Sequence, residues 1–311
     1  MRLSVRHAVT VSVSPAAPGV AVRLKMFPAA FEGQRTLAWR VLLNGEAAAP
    51  DFVNGWGDGV ATRFLRGGVS ALEIVAAGEV ETTDCAGVLR GFRAPLRPGV
   101  CLRETSRTRP DAAIAALAKE AVAGAATPLD SAHALQDAVT RRIAPTGAAH
   151  QSAAAALSAG EGGADEITHV LIAAARSMGW PARFVYGYRL ADAPGASDAP
   201  DEAGGAAKAG TDEAEAAAEA EAARSAMVAA LTQPHGWAEL WVEGIGWIGF
   251  DAAHDLCPTD AYVRLCSGLD AVDAAPLRVH AEGGAETSAT AEVAVVAGEG
   301  GGRQAGGQTQ Q

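Results

Sequence analysis

Aromatic side chains are scarce in this chain, at 5% of 311 residues, and there are only four cysteines. Cys85, Cys101, Cys257 and Cys266 form no CxxC pair and have no zinc-ligand spacing, which excludes a zinc ribbon or a thioredoxin-like redox motif. They are expected to be reduced, mostly buried thiols of a cytoplasmic protein. Long apolar runs are also missing: "HVLIAAA" near the centre is far short of the roughly 20 residues a membrane helix needs. The N-terminal "MRLSVRHAVTVSVSP" alternates apolar and polar residues, unlike the continuous apolar stretch of a signal peptide. Positive charge is in short supply too, with 25 Lys and Arg against 36 Asp and Glu, a net charge of −11. That balance argues against nucleic acid or an anionic membrane as the main partner. What is plentiful is apolar residue, 49% of the chain, enough for a real core although much of it is alanine, which buries little area per residue.

The length favours two modest domains over one large one. Residues 1–104 read as a β-rich domain. Leu3, Val5, Val9, Val11 and Val13 share one face, and Val20, Val22, Leu24 and Met26 form a second alternating set. Trp39, Val41 and Leu43 form a third, followed by turns around "NGWGDG", then Leu72 and Ile74, and then Val88, Phe92, Pro95 and Pro98. An antiparallel sandwich or barrel with no chemistry of its own is the expectation.

The period changes near Thr105. "TRPDAAIAALAKEAV" places Ile114, Leu117 and Ala121 on one helical face, with Thr108 as the expected cap and Pro110 in the first turn. "SAHALQDAVTRRI" repeats the spacing with Leu135, Val139 and Ile143. A third helix, from Ala164, buries Ile167, Val170, Leu171 and Ala174 and stops at Gly179 and Pro181. The strands "RFVYGYR", "WAELWVE" and "GWIGFDA" follow, so residues 105–297 read as an α+β core of helices packed on an antiparallel sheet. Between the first two of these strands lies an Ala-, Gly- and acid-rich insertion, 191–234, with only Lys208 and Arg224 for positive charge. Its early part should be disordered, while 212–231 has the composition of a helix. Residues 298–311 read as a flexible tail.

The most telling stretch is "GEGGADEITHVLIAAARSMGWPARFVYGYRL", Gly160 to Leu190. A glycine turn enters a helix, and the helix enters a tyrosine-bearing strand, yet the helix start carries Ala164 and no cysteine. "HGWAELWV" with His235 and "GWIGFDAAHD" with Asp251 follow in order. These three pieces resemble the bacterial transglutaminase-like family, relatives of papain-like thiol enzymes, in which the helix begins G-V-C-Q-D-F-A-H, the next strand carries H-A-W-A-E and a later one G-W-x-x-F-D-P-T-N. The resemblance extends over nearly the whole chain. The β-rich start looks like the N-terminal domain that accompanies such cores, and "YVRLCSGLDAVDAAPL" like the closing segment, with Gly268 and Asp270 at its Gly-x-Asp.

The resemblance implies roles. His235 matches the catalytic histidine that takes the thiol proton, and Asp251 matches the acid that orients it. His169 matches the helix histidine, Asp165 and Glu166 replace Gln-Asp, His254 falls at the asparagine position, and Ala164 stands at the nucleophile; Asp165, Glu166, His169 and Trp237 are the expected cleft residues. A methyl group cannot attack a carbonyl. The implied protein is therefore a pseudoenzyme that binds a peptide or amide group in its cleft or supports an active paralogue. The alternative is a hydrolase or acyltransferase that uses His235 and Asp251 without a thiol.

Other residues have plainer readings. Asp165 and Glu166 suit the first turn of a helix, where they complement its dipole. Thr168 lies one turn inside, where a hydroxyl back-bonds to the chain, and His169 reads as a hydrogen-bonded structural residue. Trp180, Trp237, Trp241 and Trp247 are expected in the core and the cleft wall. His235, Asp251, His254 and Glu166 match no known metal-ligand spacing, so neither a metal nor another cofactor is expected.

Overall fold

The computed structural model describes residues 1–191 and 234–298. The bulk of the acidic insertion, with its expected helix at 212–231, and the tail after 298 lie outside the described residues.

Two very long antiparallel strands, β1 (Arg2–Leu24) and β5 (Gly59–Thr82), form the spine of a seven-stranded sheet. The other strands at this end are β2 (Gln34–Leu43), β3 (Glu46–Ala47) and β4 (Phe52–Val53). The two alternating sets expected as separate strands are halves of β1. Leu3, Val5, Val9, Val11 and Val13 are buried on odd positions, whereas Val20, Val22 and Leu24 are buried on even ones. The parity changes because the register with β5 shifts between Ser12, Ala17 and Gly19. A one-residue slip moves every later side chain to the other face, and the irregularity keeps both halves facing the core.

The second half begins with helix α1 (Ala112–Ala121), capped by Asp111, whose carboxylate accepts the Ile114 N–H at 2.8 Å. This corrects the expectation that Thr108 caps the helix. Thr108 is buried and accepts instead from the Arg176 guanidinium at 2.5 Å. Helix α2 (Pro128–Arg142) is capped by Thr127 with Pro128 in its first turn, and α3 (Ala153–Ala159) ends in a left-handed glycine, Gly160. A short parallel pair, β6 (Ala144–Pro145) and β7 (Glu161–Gly162), leads into α4 (Ala164–Ser177). In α4 every residue from Ile167 to Ala175 is buried, because α1, α2, α3 and the second sheet surround it. That sheet has the order β10-β9-β8-β11 and is antiparallel throughout, with β8 (Ala182–Arg189), β9 (His235–Val242), β10 (Gly246–Phe250) and β11 (Tyr262–Gly268). The mixed α+β class read from the sequence is what the structure shows.

A short helix, α5 (Ala271–Ala274), follows. The end of the chain then departs from the expected division. β12 (Leu277–Ala281) and β13 (Glu286–Ala297), read above as the end of the core, return to the first sheet and flank β1. A shared cluster of Leu3, Val5, Val80, Tyr188, Val263, Leu265 and Val293 then joins the two sheets. No described helix is long and apolar enough to cross a membrane.

Candidate active site

The site is built where α4 meets the start of β9. Gly236 makes the close approach possible. A Cβ there would lie 2.6 Å from Asp165 Oδ1 and 2.5 Å from Phe184 Cζ, so any larger residue would push the helix start away. The Thr168 hydroxyl donates to the Gly236 carbonyl at 3.2 Å, a bond across to the strand and not the expected back-bond along the helix. At the helix entrance, Glu166 folds over Gly162 and Gly163 and accepts weakly from the His150 N–H at 3.5 Å.

His235 is the first residue of β9, and Asp251 directly follows β10. Their strands pair with Phe250 opposite Ala238. His235 Nε2 lies 2.6 Å from Asp251 Oδ2, leaving Nδ1 as the ring nitrogen for a ligand. A tight turn from Asp251 to Leu256 brings His254 back over the same carboxylate, with Nδ1 3.0 Å from Oδ2. The Tyr262 hydroxyl donates to that oxygen at 2.7 Å, and the Ala253 N–H reaches Oδ1 at 3.2 Å. Asp251 is fully buried. Burial alone would raise its pKa, but the hydrogen bonds from His235 and His254, with their positive potential, outweigh it and hold the carboxyl below the usual range.

His235, His254, Ala164, Asp165 and Glu166 line one cleft of about 1060 Å³. His7 and Val9 of β1 line it too, although the β-rich segment was expected to carry no chemistry. His7 is buried against Tyr188, with Nδ1 3.0 Å from the phenol oxygen, and burial lowers its pKa to about 4. Nothing local in "SVRHAVT" signals this. Two expected cleft residues lie elsewhere. His169 is buried and accepts the Ala271 N–H on Nε2 at 3.1 Å, tying α4 to the start of α5, and burial lowers its pKa to about 4. Trp237 sits behind His235 with ring centroids 6.2 Å apart and packs edge-on against Tyr262. Of the other tryptophans, Trp180 packs on the core, but Trp241, on the outer face of β9, is 38% exposed.

Asp165 is only partly exposed and accepts a hydrogen bond from the Tyr186 hydroxyl. Burial raises its pKa to about 6, against a lowering by Tyr186 and by nearby His235. The folded state therefore binds this proton more tightly than the unfolded chain does. Stability falls as pH rises from the ordinary Asp value of about 4 to about 6. Asp165→Asn keeps an acceptor for Tyr186 and removes the buried charge. The variant is expected to melt higher than the parent at pH 7.5, by up to about 2 kcal/mol, and to converge with it at pH 4. A lower melting temperature at pH 7.5 would show that the charge is stabilised by its contacts.

Residues 115–252 match the Transglutaminase-like superfamily. No curated protein matches the chain. Among solved structures, one described as a cysteine protease from Cytophaga hutchinsonii superposes with a TM-score of 0.65 at 16% identity, covering 97% of this chain and 92% of that one. The periplasmic domain of TgpA from Pseudomonas aeruginosa aligns at 14% identity over 80% of this chain and 88% of that one, with a TM-score of 0.36. Residues 115–252, which carry the ordered motifs at Ala164, His235 and Asp251, form a transglutaminase-like domain.

Proposed function

We propose that this protein binds a peptide or amide group in the cleft and performs no thiol chemistry there. The observation that carries the reading is Ala164: the helix start on the cleft wall presents a methyl group, opposite a histidine oriented by a buried carboxylate. None of the four cysteines lines the cleft. Burial pushes the Cys101 and Cys257 thiols up to about 11 and Cys266 up to about 12, so these three are poor nucleophiles near neutral pH. The His235–Asp251 pair then serves as a polar anchor, with Nδ1 of His235 free to meet an amide.

The test is binding of a blocked, glutamine-containing tetrapeptide to the full chain, followed by chemical-shift changes and by product analysis after prolonged incubation. Saturable binding without product is expected, weakened at least tenfold by His235→Ala, on the scale of a lost hydrogen bond to a buried polar group. Turnover that is abolished by a thiol-alkylating agent would overturn the reading.

A further inference from the structure

We propose that His235, Asp251 and His254 form a binding site for one divalent transition-metal ion of the zinc or cobalt type. The linear spacing shows no such site. The turn after β10 creates it by folding His254 over Asp251, opposite the first residue of β9.

The geometry is that of three convergent ligands. His235, His254 and Asp251 each offer one ligand atom within 4.8 Å of the others, and His235 Nε2 and His254 Nδ1 are the nitrogens that face Asp251 Oδ2. The imidazoles meet edge to face, with centroids 4.9 Å apart and planes at 72°, so both nitrogens address the same point without ring overlap. Metal–ligand bonds of about 2.0–2.2 Å place neighbouring tetrahedral ligands roughly 3.3 Å apart. The present separations to Asp251 Oδ2, 2.6 Å for His235 and 3.0 Å for His254, would open by less than about 1 Å, and the pair of imidazole nitrogens, within 4.8 Å, would close by up to about 1.5 Å, to hold an ion.

The hydrogen bonding points the same way. Asp251 Oδ2 faces three donors, His235 Nε2, His254 Nδ1 and the Tyr262 hydroxyl, although a carboxylate oxygen offers two lone pairs. A single ion in place of the two imidazole protons relieves this crowding. The protons then reside on His235 Nδ1 and His254 Nε2, and both rings remain neutral. Tyr262 and the Ala253 N–H continue to hold the carboxylate from outside, the support that metal-bound ligands require. Two imidazoles with one carboxylate suit zinc, cobalt, nickel or iron and not calcium or magnesium, which prefer oxygen alone.

The surroundings favour a cation that stays open to ligand. Both histidines line the cleft, as does Ala164, so the ion would sit at the cleft wall. Asp165 and Glu166 lie on the same cleft wall and contribute negative potential, while Arg189, also on the cleft, opposes it. The inference rests on the cleft being a ligand site, as proposed above, but it does not require that the ligand be a peptide.

The experiment uses the tag-free full chain, stripped with a chelator and titrated with Co2+ while visible absorption is recorded. Saturation at one equivalent is expected, with ligand-field bands of a four- or five-coordinate ion that Zn2+ bleaches on displacement. His254 is one-third exposed on a turn, so His254→Ala and His254→Gln should fold. Each should weaken Co2+ binding on the order of 100-fold and abolish the rise in melting temperature that Zn2+ gives the parent. Absence of the bands, or unchanged affinity in both variants, overturns the proposal. Tetrapeptide binding measured in chelator separates the two readings. Peptide binding without a Co2+ spectrum removes only the metal, and a Co2+ spectrum without peptide binding removes only the peptide.

Discussion

Replacing Glu239 with alanine should lower the stability of the whole chain by about 3–5 kcal/mol, the scale of stranding a buried charge, read as a fall in melting temperature of roughly 10 °C. Glu239 belongs to the "HGWAELWV" motif but faces away from the cleft. It is fully buried and accepts from Arg183 Nε at 2.6 Å and from Arg264 Nε at 2.7 Å, so it ties β8, β9 and β11 together. Burial pushes its pKa up, but the two guanidinium groups outweigh that and lower it. Arg183 lies over the Trp247 ring at 4.1 Å and Arg264 over Phe92 at 4.2 Å. Arg183 Nη2 is already buried without a hydrogen-bond partner, and Arg264 Nη1 has only the buried Asp58 carboxylate, 4.0 Å away and beyond hydrogen-bond reach. Removing the carboxylate strands Arg183 and leaves Arg264 with Asp58 as its remaining, more distant counter-charge. The exposed Arg35–Glu81 pair, at 2.7 Å, is the control: Arg35→Ala should leave the melting temperature nearly unchanged because solvent screens it. A loss below about 1 kcal/mol for Glu239→Ala would show that the arginines find other partners or water.

The other large effect concerns the thiol. Turnover in a triad enzyme falls on the order of a millionfold without its nucleophile, so the parent chain should show no thiol-dependent amidase, peptidase or amine-transfer activity. Ala164→Cys should add one alkylatable thiol on the cleft, facing His235. Its reactivity should be modest, because Asp165, which ionises near pH 6, and Glu166 place negative charge beside it and disfavour the thiolate, against the pull of the helix N-terminus. Asp165→Asn in the Ala164→Cys background should speed alkylation at pH 7.5. Equal rates with and without Asp165 would show that its charge does not reach the helix start. Thiol-dependent turnover in the unmodified parent, lost with one of its own cysteines, would place the nucleophile elsewhere.

Local pattern carried much of this protein. The 3.6-residue spacing of Ile167, Val170, Leu171 and Ala174 marks α4, and Gly179 marks its end, because helix formation and termination depend on residues within a turn or two. The pairing of His235 with Asp251 was legible for a different reason: three ordered motifs surround the residues that must converge. Fold class and the transglutaminase-like character of residues 115–252 follow from these alone.

Long-range packing decided the rest. Only the register of β1 against β5 shows why burial passes from odd to even positions. Only the return of β12 and β13 to β1 shows that the last strands complete the first sheet, since a strand's partner is not written in its own alternation. His7 reaches the cleft because β1 lies beside β11 and its neighbours, and Glu239 is an ion-pair centre because Arg183 and Arg264 arrive from strands on either side in sequence. His254 becomes a candidate ligand through one tight turn. In each case the energy resides in contacts between residues far apart along the chain, and burial and charge pairing are properties of the assembled surface that no window of sequence contains.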